Sequence, residues 1–156
     1  MGTYPQKPPL TDAELATFLR EAPIARLGSL NPDGTIHIAA LWFGYDDGDI
    51  VFGTQEATNK VRNIKRDPAV TVLVDVDEPY LKGVLIYGHA QLDYEDVIAK
   101  RVSIFEKYMP GEDALQFATA MAGRFAPVII RVKPNRVTSW DYSKEGMIEA
   151  PAASDE

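Results

Sequence analysis

Residues 35–43, TIHIAALWF, form a strand-length run that is apolar on both faces. Side chains alternate along a strand, so His37, Ala39, Leu41 and Phe43 share one face and Ile36, Ile38, Ala40 and Trp42 the other. One face can fill a core. The second needs a helix, a partner subunit or a ligand against it. A plain surface sheet with one wet side does not accommodate this segment.

The neighbouring segments define the setting. Thr11-Asp12-Ala13-Glu14 fits a capping box, and Leu15, Phe18, Leu19 and Ala22 follow at helical spacing, which predicts a helix over 11–21. The period then changes. Strands are predicted over 24–30, 35–43, 49–53, 69–76, 83–92 and 126–142, the last broken at Pro134. Asn31-Pro32-Asp33-Gly34 and Tyr45-Asp46-Asp47-Gly48 read as tight turns joining the first three strands into an antiparallel meander. Helices are predicted over 57–66, stopped by Asp67-Pro68, over 95–108, and over 114–121. The result is a mainly β chain with small helices: a six-stranded antiparallel barrel, the closure that removes exposed strand edges. Residues 1–10 read as a flexible arm, 11–143 as one domain, and 144–156 as a flexible tail.

Composition removes whole classes of function. The 156 residues contain no cysteine, which excludes disulfides, thiolate catalysis and cysteine-bound metals. The net charge of −7 argues against nucleic-acid binding, which needs a basic footprint. No apolar run has the length of a membrane span, and residues 1–10 lack a secretory pattern, so a cytoplasmic protein without a membrane partner is expected. The two histidines, His37 and His89, have no local ligand partner, and no metal site is expected. Both are expected to be satisfied structural residues. No Ser–His–Asp or paired-carboxylate arrangement is evident, so no catalytic side chain is assigned.

One junction carries a chemical signal. The strand ending Phe52-Gly53-Thr54 runs into the helix that starts near Thr58. Free helix N–H groups and the positive end of the dipole favour an anion at such a junction. Thr54 and Thr58 offer hydroxyls, Asn59 an amide, and Lys60 an ammonium in the first turn, where a cation is unfavourable without a negative partner. Two readings stand: a phosphate site, or a solvent-exposed Lys60 near Glu56 with Thr58 as an ordinary cap. Arg62, Lys65 and Arg66 read as a solvated face. Trp140, in the polar context Thr138-Ser139-Trp140-Asp141, is either core or a stacking group for a planar ligand or subunit contact.

The order ARLGSLNPDGTIHIAALWF, DGDIVFGT, ATNKVRNIKRDPAVTVLVD, KGVLIYGHAQL resembles the pyridoxamine-phosphate-oxidase-like flavin-binding split barrels over about residues 11–142. The resemblance implies a six-stranded split β-barrel, a homodimer, and one flavin in each of two subunit clefts, with the second strand lying against the flavin. The family's R-x-V-L-L-K segment falls on Ile38-Ala39-Ala40-Leu41-Trp42-Phe43, so backbone groups of Ala39, Ala40, Leu41 and Trp42 would line the isoalloxazine ring. Its T-x-x-x-S-R-K segment falls on Thr54-Gln55-Glu56-Ala57-Thr58-Asn59-Lys60, so Thr54, Thr58, Asn59 and Lys60 would meet the ribityl phosphate. Trp140 resembles the oxidases' late tryptophan and would reach the partner subunit's flavin.

The departures are specific. The family's Arg and Lys on the second strand are Ile38 and Phe43 here, and the Arg before the phosphate lysine is Asn59. The terminal R-L-x-x-R-type substrate motif is absent, so the resemblance implies a relative of the oxidase rather than the oxidase itself. The expected function is an FMN-dependent oxidoreductase acting on a small molecule. Two alternatives stand: a deazaflavin (coenzyme F420) reductase, whose anionic tail the VRNIKRDP helix could meet, and a non-catalytic flavin- or haem-binding module.

Overall fold

The computed structural model describes residues 9–144. Most of the predicted arm and tail, 1–8 and 145–156, lies outside the described residues. The elements are α1 (Asp12–Glu21), β1 (Ala25–Leu30), β2 (Ile36–Leu41), β3 (Gly44–Asp46), β4 (Asp49–Gln55), α2 (Asn59–Arg66), β5 (Ala69–Val76), β6 (Lys82–Asp93), α3 (Val97–Phe105), α4 (Gly111–Ala122) and β7 (Pro127–Asp141).

Local signals explain most boundaries. The Thr11 hydroxyl accepts the Glu14 N–H at 3.2 Å and caps α1. In the β1–β2 turn the Gly34 N–H bonds the Asn31 carbonyl at 3.1 Å, and Gly34 takes φ +86°, which favours glycine. The β3–β4 hairpin has its central residues, Asp47 and Gly48, both at positive φ, the backbone a two-residue hairpin requires.

All strands belong to one antiparallel sheet in the order β2-β1-β5-β6-β7-β4-β3. This corrects three expectations. There are seven strands among the described residues, not six, because the predicted second strand stops at Leu41 and a new short strand begins at Gly44. The first three predicted strands do not form a meander: β1 pairs with β2, whereas β4 pairs with β3 and β7. The sheet curls into a half-barrel without closing, with β2 and β3 as its two edges. Trp42 and Phe43 alone connect those edges in the chain.

The long pairing of β6 with β7 is broken once. The register skips Asn135 between Tyr87–Arg136 and Gly88–Pro134, a bulge beside a proline that cannot donate to the ladder.

The concave face of the sheet holds the main core. Leu27, Phe52, Val72, Ile86, Ile130 and Val132 meet Phe18 and Leu19 of α1 and Val61 and Ile64 of α2 there. Leu10, at the end of the predicted arm, joins this core, and its N–H bonds the Ser139 hydroxyl at 2.9 Å. A second core lies outside β4 and β7, where Val51 and Ile129 pack on Ile104, Phe105, Ala114 and Ala118 of the α3–α4 hairpin. The outer face of β1, β2, β5 and β6 has no such cover. Ile36 is 68% exposed and Ile38 66%. Among the described residues no helix is long and apolar enough to cross a membrane.

Candidate functional site

The junction of β4 and α2 is organised unlike an ordinary helix start. Thr54 is buried in β4 opposite Val128. Thr58 occupies the cap position of α2, but its hydroxyl donates back to the Gln55 carbonyl at 3.0 Å and makes no cap bond to the helix. The first turn of α2 has no acidic residue. Its free N–H groups therefore remain available.

Lys60 sits in that turn at 9% exposure, with no hydrogen bond or ion pair among the described residues. Burial pushes its ammonium below the ordinary lysine value. The exposed-lysine alternative is thereby corrected. Glu56 does not serve Lys60; its carboxylate takes Lys65 and the Tyr94 hydroxyl. Asn59 is exposed, and its amide oxygen holds the Arg62 guanidinium at 2.5 Å.

Polar anchors fix α2 beside the β1–β2 hairpin. The Asn63 amide donates to the Ser29 hydroxyl at 3.1 Å and to Asn31 at 2.9 Å, and Arg66 donates to the Leu30 carbonyl. The helix consequently packs against β1, β2 and β6. This brings Thr54, Thr58, Asn59 and Lys60 together, next to the edge strand carrying Ala39, Ala40 and Leu41. Ala39 and Leu41 are half-buried and Ala40 is exposed. As an edge, β2 presents backbone N–H and C=O groups that no neighbouring strand uses. On the outer face a cavity of about 560 Å³ spans β1, β2 and β5, walled by Ile36, Ile38, Leu73 and Tyr87 and floored in part by Gly28.

Two tryptophans are placed differently from this group. Trp42 stacks on Tyr108 with ring centroids 4.6 Å apart and meets Phe105 edge-on at 5.9 Å. Its ring is committed to the helical hairpin. Phe43 is fully buried, and the Tyr108 hydroxyl bonds both its N–H and its carbonyl. Trp140 lies half-buried over Gly83 in the β6–β7 ladder. From Val128 to Trp140 is about 40 Å of strand at ~3.3 Å per residue. Trp140 is therefore not joined to the Thr54, Thr58, Asn59 and Lys60 cluster within one chain.

His89 bonds Asn135 at 3.1 Å, as a structural histidine does. His37 differs: its Nδ1 is buried without a partner, on the face it shares with Ser29. Sequence reasoning missed two further cations. Arg101 of α3 is 1% exposed with Nε and Nη1 unpartnered, and the Lys107 amine is buried without an acceptor. The only local hint for Arg101 is Gly53, whose missing side chain makes room for its stem.

A family profile described as pyridoxamine 5'-phosphate oxidase matches residues 11–141. Among curated protein sequences none matches. A solved structure of a conserved hypothetical protein from Mycobacterium tuberculosis is 29% identical, aligning 90% of this chain with 91% of that one at a TM-score of 0.79. A structure named an F420 reductase is 22% identical over 82% of this chain and 98% of its own, with a TM-score of 0.63. An FAD-binding protein from Mesorhizobium loti is 18% identical over 86% and 95%, also at 0.63. The last two likenesses are of fold.

Proposed function

The chain belongs to the pyridoxamine 5'-phosphate oxidase family, and from that premise we propose that it is an FMN-dependent oxidoreductase acting on a small molecule. The observation that carries this is Lys60, a lysine that is nine-tenths buried as a residue and whose ammonium has no partner among the described residues, in the first turn of α2. A cation placed against the helix dipole and partly desolvated is stabilised by a bound dianion, which also accepts the free helix N–H groups. Thr54 and Thr58 flank that point with hydroxyls. The unpaired edge of β2 at Ala39, Ala40 and Leu41, continued by the backbone of Trp42 just beyond it, would supply donors and acceptors for the polar rim of a planar ring. The bound flavin would supply the hydride or electron transfer, and the protein its orientation and electrostatics.

A homodimer forms part of the proposal. The uncovered outer face around Ile36 and Ile38 is the surface a second copy would bury, and Trp140 would then serve the partner's cofactor. The departures from the oxidases at Ile38, Phe43 and Asn59 point to a substrate other than pyridoxamine phosphate.

A deazaflavin is the second reading, favoured by the similarity to a structure named an F420 reductase. Against it, two of the α2 cations that could meet an anionic tail are engaged, Lys65 by Glu56 and Arg66 by the Leu30 carbonyl.

Absorbance titration of the purified protein with FMN, coenzyme F420 and haem tests these readings. Saturable perturbation of the FMN spectrum is expected. Perturbation by F420 alone would transfer the proposal to the deazaflavin, and no response to either would refute both.

A further inference from the structure

We infer that the chain carries a second ligand site, for a small organic carboxylate with an apolar body, in the cavity between α1, β3 and α3. This inference does not rest on the cofactor proposal. The cavity holds about 510 Å³, within the range of small-molecule pockets, and lies at the β3 edge of the sheet. Arg20 from the last turn of α1 and Lys107 from just past α3 both line it.

Neither cation has a carboxylate partner among the described residues. The Arg20 guanidinium rests 5.8 Å from the Tyr45 ring centroid, and the Lys107 amine 3.7 Å from the Phe43 ring. The other two cations on the walls are already balanced. Lys100 pairs with Asp93 at 2.7 Å, and Arg131 pairs with Asp46 at 2.7 Å and Asp49 at 3.1 Å. What is left over is therefore two positive charges parked on aromatic faces.

A ring face is a weaker partner than a charged acceptor, and a buried ammonium with no acceptor is costly. Burial alone pushes the Lys107 amine down to about 8. A carboxylate held by Arg20, with the Lys107 amine swung out of its present burial to meet it, would relieve that cost. Val51, Ile104 and Ile129 line the same cavity and would cover the ligand's apolar part. Inorganic phosphate has no such part, so it is the weaker fit.

The test is calorimetric titration of benzoate, with inorganic phosphate as comparison, into the full chain with and without saturating FMN. One benzoate site per chain is expected, indifferent to FMN, with phosphate binding more weakly. Lys107→Met and Arg20→Gln should each weaken benzoate by about tenfold or more, the loss of one charge-assisted contact. Lys107→Met removes an unpaired buried charge and should fold at least as well as the parent chain; Arg20→Gln is the second variant should it not. The inference is overturned by absence of benzoate binding up to about 10 mM, by affinity unchanged in both variants, or by competition with FMN, which would place the benzoate in the cofactor cleft.

Discussion

Replacing Lys60 with methionine should move stability and cofactor affinity in opposite directions. The apolar stem keeps its packing in Lys60→Met, and only the charge is lost. In the unliganded protein that charge opposes the helix dipole, worth about 0.3–1 kcal/mol at an exposed site and more in a partly buried one. Burial adds a penalty of the same sign, since it already holds the ammonium below its ordinary value. A gain of about 1 kcal/mol corresponds to roughly 2–4 °C in a chain of this size. The pH dependence follows in sign. The folded chain releases the Lys60 proton before the unfolded chain does, so its penalty fades as pH rises toward the ordinary value of 10.5. The thermal advantage of Lys60→Met should therefore be full near neutrality and shrink in alkali. With FMN the sign reverses. Loss of a charge-assisted phosphate contact, about 1.5–3 kcal/mol, weakens binding about 10- to 100-fold. Thermal melts and fluorescence titration with FMN read both effects on one preparation. Lys65→Ala is the control, because Lys65 is exposed and paired with Glu56, and it should leave FMN affinity nearly unchanged. Unchanged FMN affinity in Lys60→Met would show that the phosphate binds elsewhere, and a lowered melting temperature would show that the Lys60 charge is stabilising in the unliganded fold, against the dipole argument.

Other consequences are equally direct. The Lys107 amine titrates at about 8 in the fold against 10.5 ordinarily, so the unfolded chain binds more protons between those values and stability should rise across that window; Lys107→Met should flatten the rise in melts recorded from pH 7 to 10. Tyr108→Phe removes the hydroxyl that bonds both the N–H and the carbonyl of buried Phe43, and should cost about 1–3 kcal/mol in denaturant unfolding. Gly88→Ala would set a Cβ 2.3 Å from the Lys133 carbonyl oxygen, a backbone atom that cannot step aside; a loss of about 1–3 kcal/mol is expected, and an unchanged unfolding midpoint would disprove the close approach at the bulge.

What the sequence revealed was local. Thr11 and Glu14 mark the start of α1, Asn31 to Gly34 the first turn, and Asp67-Pro68 the end of α2, because each signal is satisfied within a few residues. The conflict at Lys60 was visible for the same reason: a cation in a first helical turn is a local anomaly. Its burial was not visible, because that depends on the docking of α2 through Asn63 to Ser29 and Asn31. Strand order was likewise hidden. Nothing near Ile50 reveals that its ladder partner is Val132. The open edge at β2 followed from that pairing. Arg101 was hidden by its own charge, which reads as a solvated helix face, although the bare backbone at Gly53 receives it. The resemblance concerns the backbone of Trp42; the place of its side chain was hidden, because its cluster with Phe105, Tyr108 and Phe117 is assembled from segments more than sixty residues apart.

The position of β7 has a consequence for how the protein is made. It is the last strand among the described residues, and it alone joins the β3–β4 hairpin to the rest of the sheet. When residue 93 has emerged from the ribosome, β1, β2, β5 and β6 can already pair, but the β3–β4 hairpin cannot join them until β7 emerges. At about 5–20 residues per second, that interval lasts roughly 2–10 s. During it, Val51 and Phe52, buried on opposite faces of β4 in the finished fold, have only the short β3 beside them and lack β7. A nascent chain stalled after residue 126 would hold a half-built sheet with an apolar hairpin attached, the form most exposed to chaperones and to aggregation.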